Sequence, residues 1–481
     1  MIRLRDRPVF YPNARPLLCM RHPQHLRLWQ CLAAAFAPAP AIPVPADATP
    51  ESIAAGFRRW RWQVMVASMA GYALYYLVRK NLSFAMPVME RELGITKVQL
   101  GWFLTQHGVL YGISRFANGF LADRANARTL MSVGLLASAV MNFGFALAPA
   151  LMGGGPPGAA FTVVQMMGTC WMVNGWVQGM GFPPCSRLMT HWFSPKELAS
   201  RMSVWNTSHS IGGFVAAILC SYLAVLDWRL CFLIPGLLAV AGAVGLWHWL
   251  PDTPPSVGLP EVPGTEHATQ DGENSQTHHE FLRRMVFTNP HIWWLALANF
   301  FVYILRFSIL DWGPTLLKET KGMKLEHSGW MVAGFEISGV VGMLAAGWIT
   351  DRVFGGRGAR TCLVYMALAG AAMFCFWKTP VGHGALSAGL LCAAGFFIYG
   401  PQALIGIAVA NLATKRAAAT AAGFTGIFGY ASTLVSGVGL GWLVENHGWN
   451  AAFDALILCS AIGTALFALS WRARAHGYAG H

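Results

Sequence analysis

Arg79, Lys80, Arg115 and Arg306 stand inside stretches of sequence that are otherwise apolar. An Arg or Lys at the centre of a membrane-spanning helix costs at least about 2.5–3.5 kcal/mol on insertion scales, so it faces a cavity or a partner, not lipid. Arg79 lies 11 residues before Glu90 and Arg306 lies 12 before Lys318, which sets both near mid-depth, too far in to snorkel easily. Arg115 is eight residues from Asp123. That is about 12 Å from a span end, where snorkelling, a salt bridge and cavity lining are all open to it. The candidate counter-charges are Asp311, just over one turn beyond Arg306, and Glu336. Two carboxylates against four cations leave a surplus of about two positive charges, which a bound dianion would balance. The planar guanidinium fork donates two parallel hydrogen bonds to a phosphoryl group. A phosphate dianion held by Arg79 and Arg306 is therefore the first expectation. Lys80 sits about 100° around the helix from Arg79 and is expected to pair with Asp311 or Glu336.

Other side chains share faces with these cations. Tyr72, Tyr76 and Arg79 fall at i, i+4 and i+7, so the two tyrosines either donate to an anion beside Arg79 or pack the interior. Trp205, His209 and Gly213 share another face. A His there either packs or, by gaining or losing a proton near neutral pH, adjusts to a singly or doubly charged phosphate. Gly423, Gly426 and Gly429 form a stripe expected to let helices approach closely, and Tyr430 follows it, pointing to a cavity or filling a gap. Asp123-Arg124 and Asp351-Arg352 stand at span ends, too shallow for a ligand. They are expected to hold one side closed by pairing with neighbouring helix ends.

The elements that carry these residues follow from the composition. Of 481 residues, 55% are hydrophobic and 11% charged, against about 25% charged in soluble domains. That excludes a soluble enzyme and a disordered chain. Twelve apolar segments recur, over 62–88, 98–122, 129–150, 158–181, 200–225, 228–250, 290–315, 327–349, 361–378, 385–411, 417–444 and 450–471. Most reach the roughly 20 residues that cross a bilayer, and they are too long and too uniformly apolar for barrel strands. An acidic linker, 251–289, divides an N-terminal half, 58–250, from a C-terminal half, 290–472; a tail follows over 473–481. With the N-terminus inside, and with charges at span ends counted in the adjoining loop, the inside segments carry 23 Lys and Arg and the outside loops 7, which predicts both termini in the cytoplasm. The net charge of +13 is dispersed over short loops, so no nucleic-acid partner is expected. The ten cysteines form no CxxC pair and read as small buried hydrophobes; no metal is expected. Residues 1–57, Arg-rich and then Pro/Ala-rich, read as a disordered extension, as an upstream start with Met20 the alternative, or as a weak signal peptide.

The halves repeat. Gly119-Phe-Leu-Ala-Asp123-Arg124 returns as Gly347-Trp-Ile-Thr-Asp351-Arg352, offset by 228, and Tyr76-Leu-Val-Arg79 as Tyr303-Ile-Leu-Arg306, offset by 227. Two motifs sharing nearly one offset indicate duplication, with a binding site between the halves near mid-depth. No phosphate loop or nucleophile–base constellation is present, so neither ATP use nor an enzyme is expected, and no cofactor.

Twelve spans in two halves with repeated Gly-x-x-x-Asp-Arg loops resemble the major facilitator superfamily. Tyr75-Tyr-Leu-Val-Arg-Lys-Asn81, Gly179-Met-Gly-Phe-Pro-Pro-Cys185, Trp205-Asn-Thr-Ser-His-Ser-Ile-Gly-Gly213, Arg306-Phe-Ser-Ile-Leu-Asp-Trp-Gly-Pro314 and Tyr399-Gly-Pro401 resemble, more narrowly, the organophosphate:phosphate antiporters, over about residues 58–472. The resemblance implies an all-α bacterial inner-membrane antiporter that exchanges inorganic phosphate for a phosphate ester by a rocker-switch motion. It implies that Arg79 and Arg306 bind the phosphoryl group, that His209 assists, and that Tyr72, Tyr76 and Tyr430 line the site. It makes Lys80, Asp311 and Glu336 an ion-pair cluster that opens and closes with substrate. The glycerol-3-phosphate branch has Lys at the position of Arg115, so charge is kept there. The hexose-phosphate branch carries an Asp and a Lys near Ala422 and Thr425, which disfavours hexose phosphates and leaves glycerol-3-phosphate as the expected cargo. A hexose-phosphate or phosphoglycerate transporter, a sugar-phosphate sensor working through a partner kinase, and a proton-coupled symporter are the rivals. A monomer is expected.

Overall fold

The computed structural model describes residues 35–152, 159–262 and 283–471, and every regular element among them is helical. The N-terminal half runs α1 (Pro50–Lys80), α2 (Leu82–Leu93), α3 (Lys97–Arg124), α4 (Ala127–Leu151), α5 (Ala159–Gln178), α6 (Phe182–Trp192), α7 (Pro195–Leu226) and α8 (Leu230–Trp249). The C-terminal half runs α9 (Pro290–Lys321), α10 (Leu325–Arg352), α11 (Gly358–Lys378), α12 (Gly384–Ala431) and, after a π-helical turn (Leu434–Gly439), α13 (Leu440–Leu469). Eight helical stretches are long and apolar enough to cross a membrane by length and composition, one of them, Thr420–Leu469, containing two crossings folded at Gly448. The pair α1–α2, with α3 and α5, completes twelve. These carry more polar residues. The N-terminal Arg-rich stretch, most of the acidic linker and the C-terminal tail lie outside the described residues.

Local sequence sets the helix boundaries. Thr96 and Gln99 form a reciprocal capping box at the start of α3. Asn289 caps α9 with Pro290 at its first position, and Gly94 and Gly322 close α2 and α9 at φ 65° and 63°. The two arginine-bearing crossings are built alike: Pro87 in α2 and Pro314 in α9 each stand eight residues beyond the arginine, an offset of 227 again. Asn81 separates α1 from α2. Its side-chain oxygen accepts from the Leu82 amide, and its amide donates to Asn142 Oδ1 at 2.7 Å and to the Cys231 carbonyl at 2.9 Å. That fixes the backbone beside Arg79 and Lys80.

The halves meet chiefly where α7 packs on α10, where α2 packs on α9, and where α3 packs on α12, the π turn and α13. A side chain on Gly329 of α10 would collide with Ser221 and the Ala217 carbonyl of α7, so only glycine allows that approach. The stripe Gly423, Gly426 and Gly429 behaves otherwise than expected. Nothing lies near Gly423 or Gly426, and only Gly429 packs tightly, against Asn299 and Tyr303. The cysteines divide as well: Cys185, Cys220, Cys231 and Cys362 are buried, but Cys375 is exposed on the bundle surface, where an apolar solvent suits it equally.

Of the extension over 1–57, read from sequence as disordered, mis-started or a weak signal peptide, residues 35–57 are described and make contacts. Ala35 and Phe36 offer carbonyls to Thr129 and Asn126, the Ala39 amide donates to Asp252, and the Ile42 amide to Pro255, before α1 starts at Pro50. Asp252, fully buried, is the node: it accepts from Arg187 at 2.6 Å and from the Ala127 amide at 3.0 Å as well. A buried carboxylate needs such partners, and residues 35–49 supply one. This strap lies across the end of the bundle where α1 begins and the linker leaves, here called the linker end; the opposite end is the far end.

Candidate functional site

The seven side chains expected to bind ligand, Arg79, Arg306, His209, Tyr72, Tyr76, Tyr430 and Arg115, line one cavity of about 210 Å³ between the halves. Lys80 reaches it too, although its ammonium is engaged. Lys80 Nζ donates to Asp311 Oδ1 at 2.6 Å, across the interface between the halves, with both residues about nine-tenths buried. Of the two partners open to Lys80, the structure has Asp311.

Glu336 belongs instead to Arg306. Arg306 Nη2 donates to the Tyr399 hydroxyl at 3.2 Å, and that hydroxyl donates to Glu336 Oε2 at 2.6 Å. Glu336 comes from α10 toward α7, where Gly213 leaves it room; a side chain there would strike the carboxylate. Arg79 has no such support. Its guanidinium lies 4.0 Å from the centre of the Tyr111 ring and 5.4 Å from Tyr76, and it makes no hydrogen bond or ion pair with any described residue. Arg115 packs 3.9 Å from the Phe182 ring and donates to the Tyr430 hydroxyl at 2.8 Å. Aromatic faces attract guanidinium groups but leave their N–H groups free to donate elsewhere.

With the carboxylates ionised, Asp311 offsets Lys80 and Glu336 offsets Arg306. Arg79 and Arg115 have no carboxylate partner among the described residues, which leaves two positive charges on the cavity. Free donors point the same way. Arg306 Nε is buried without a partner. His209 turns Nδ1 to the Asn206 carbonyl and leaves Nε2 unpartnered beside Tyr76. That nitrogen donates to an ionised phosphoryl oxygen when the ring is charged and accepts from a P–OH group when it is neutral. Tyr72 is held by the Trp205 ring at 4.8 Å. A small dianion is the ligand these groups fit. They offer no activated nucleophile.

The Asp-Arg pairs behave differently from expectation. Asp123, Arg124, Asp351 and Arg352 are exposed at the linker end, and none makes an ion pair with a described residue. Exposed pairs of this kind contribute little in any case. Besides Lys80–Asp311 and Arg115–Tyr430, the polar links between the halves include Thr105 with the Thr433 carbonyl, the Val98 amide with Glu445, Lys97 with Glu319 at 3.1 Å, and Trp330 with Tyr222.

Tyr111, Tyr303, Tyr399, Asn206 and Gln402 belong to the cavity wall or its support without a site role assigned from sequence. For two of them a signal existed. Tyr303 is the repeat partner of Tyr76, and Tyr111 lies one turn before Arg115.

Twelve crossings in two similar halves, enclosing a polar cavity at the interface, define a two-domain membrane transport protein. The family model described as Major Facilitator Superfamily matches residues 68–437, and the chain belongs to that family. It is 37% identical over 445 residues, 91% of this chain and 97% of the relative, to the glycerol-3-phosphate transporter of Bacillus subtilis (strain 168). It is 35% identical, over 87% of this chain and 92% of the relative, to a probable hexose phosphate transport protein of Chlamydia pneumoniae. The fold is also that of a bacterial homolog of the human lysosomal transporter Spinster, solved inward-facing and unoccupied. That comparison has a TM-score of 0.66 at 16% identity, over 86% of this chain and 97% of the other.

Proposed function

We propose that this protein is a secondary antiporter that exchanges a phosphate ester, glycerol-3-phosphate, for inorganic phosphate across a bacterial inner membrane. The observation that carries this reading is the surplus of two cations, Arg79 and Arg115, on a cavity whose remaining charges are paired. A phosphate monoester dianion neutralises it. Arg79 and Arg306 take the phosphoryl group, with His209 beside them and Tyr72, Tyr76 and Tyr430 as further donors. The 37% identity to a glycerol-3-phosphate transporter supports the cargo. So does the stretch Ala422–Thr425, which offers the cavity no charge: the Thr425 hydroxyl turns back to the Ala422 carbonyl and its own carbonyl accepts from Asn299.

Both termini lie in the cytoplasm by the excess of Lys and Arg on that side, so the linker end is cytoplasmic. Without cargo, the facing guanidinium groups repel and hinder closure. A dianion removes the repulsion, and its stronger binding to the closed arrangement shifts the equilibrium toward it. Lys80, Asp311 and Glu336 rearrange during that motion, because Lys80–Asp311 joins the two halves and must respond when they rock. The protein acts as a monomer with no cofactor.

The test is exchange in proteoliposomes loaded with labelled phosphate. Release by external phosphate and by glycerol-3-phosphate, but not by glucose-6-phosphate, is expected. Release by the hexose ester would overturn the cargo and keep the antiporter. Binding without any release would replace transport by sensing.

A further inference from the structure

The cavity has a second layer. Every group already assigned to the phosphoryl end can donate to it, His209 when its ring is charged. The wall also carries an acceptor. Gln402 lines the cavity, and its Oε1 is buried with no hydrogen-bond partner. A buried acceptor left unmade carries a desolvation penalty, which a ligand or water must relieve by donating. A monoester's ionised phosphoryl oxygens cannot do so, because they only accept.

The position of Gln402 says which part of the ligand can. Gln402 stands three residues after Tyr399 on α12, whose first crossing runs from the far end to the linker end. It therefore lies about 4.5 Å nearer the linker end than the tyrosine that anchors Arg306. Across the cavity, Asn206 stands three residues before His209 on α7, which runs in the opposite sense. Each neutral amide thus stands about one helical turn nearer the linker end than a site residue of its own helix, Asn206 than His209 and Gln402 than Tyr399. A ligand with its phosphoryl group on Arg79 and Arg306 and its organic part toward the linker end sets that part between Asn206 and Gln402.

We propose that Gln402 is a specificity-determining residue, whose Oε1 accepts a hydrogen bond from a hydroxyl of the cargo's organic part. The site then selects hydroxylated phosphate monoesters over plain alkyl phosphates. This rests on the phosphate-exchange reading above.

The experiment compares two three-carbon monoesters, glycerol-3-phosphate and n-propyl phosphate, as competitors of labelled phosphate exchange in proteoliposomes of the full chain. The readout is the ratio of their half-inhibitory concentrations. Wild type should favour the glycerol ester by about ten-fold, the size of one neutral hydrogen bond in a closed site. Gln402→Met, similar in length but without an acceptor, should bring the ratio to near one. A variant that weakens both esters alike and keeps the ratio would mark a structural role and overturn the proposal. Should Gln402→Met fail to reach the membrane, Gln402→Leu replaces it with the same expected ratio near one, and a wild-type ratio near one overturns the proposal without any variant. Self-exchange of phosphate by wild type separates the two readings: its absence defeats exchange itself, and its presence with an indifferent ratio defeats only the role of Gln402.

Discussion

The duplicated halves bring one arginine each to the cavity, and the two are not equivalent. Arg306 is 4% exposed and tied through the Tyr399 hydroxyl to Glu336. Arg79 is 9% exposed and rests on the faces of Tyr111 and Tyr76. Duplication conserved the cation, its depth and the proline eight residues on, whereas the surroundings diverged. A hydrogen-bonded relay fixes an N–H direction; a ring face fixes only a plane. The C-terminal half therefore offers a pre-aimed donor, and the N-terminal half one that ligand must orient. An uneven pair of this kind lets the occupied and unoccupied arrangements differ chiefly at Arg79, without unmaking the buried Arg306–Tyr399–Glu336 relay.

The largest effect should come from removing either fork. Arg79→Lys and Arg306→Lys keep the charge but lose bidentate donation. Each should lower exchange by at least about 100-fold, consistent with two charge-assisted hydrogen bonds. Near-wild-type exchange in either variant would break the two-arginine site. Next comes the pair between the halves. Asp311→Asn strands a buried ammonium, which costs about 3–5 kcal/mol when one partner is removed. Its midpoint of thermal unfolding in detergent should fall by several degrees, and adding Lys80→Met should restore most of the loss. A single variant as stable as wild type would show that Lys80 escapes to water.

Much of this was legible because lipid is an intolerant solvent. It forces long apolar runs, and it makes Arg79 and Arg306 conspicuous by violating them. The shared offset of Tyr76–Arg79 and Tyr303–Arg306 then gave the halves. Tyr399 and Gln402 were not legible as site residues. A polar side chain on an apolar helix means little until the face it occupies is known, and that depends on how α12 packs on α9 and α10. The contacts of the strap are not legible in sequence for another reason. Pro and Ala between residues 38 and 50 look unstructured, and the residue that pins them, Asp252, lies 213 positions from Ala39. Asp123-Arg124 and Asp351-Arg352 could be placed at span ends from sequence, but their partners depend on how the halves are tilted, which no local pattern encodes.

The sharpest probe of the difference between the arginines is a pair of hydroxyl deletions. Tyr399→Phe keeps the ring 4.6 Å from Arg306 but removes the hydroxyl that links it to Glu336. Apparent affinity for phosphate should fall about ten-fold, because the guanidinium loses its aim and a buried carboxylate loses a donor. Tyr111→Phe keeps the ring face that holds Arg79, so the change there should stay within about two-fold. Equal losses in the two variants would mean that Tyr111 donates to the ligand itself, and the contrast between a relayed and a ring-held arginine would then fail.

The smallest effect belongs to the far end, where both halves contribute to one polar cluster. Lys97 pairs with Glu90 of its own half at 2.5 Å and with Glu319 of the other at 3.1 Å; Trp449 Nε1 also donates to Glu319, at 2.7 Å. Glu319→Gln removes the charge between the halves but leaves Lys97 its nearer partner and Trp449 an acceptor. The side chain of Glu319 is 33% exposed, so the lost pair is worth about 0.2–1 kcal/mol. Opening at this end should become easier by about two- to five-fold, read as faster labelling of a cysteine placed beside the cluster. Raising the salt concentration should shrink the difference, since exposed charges are screened within about 10 Å. A change as large as that expected for Tyr399→Phe would move control of opening from the cavity to this outer cluster, and the inequality of the two arginines would no longer set the balance between the halves.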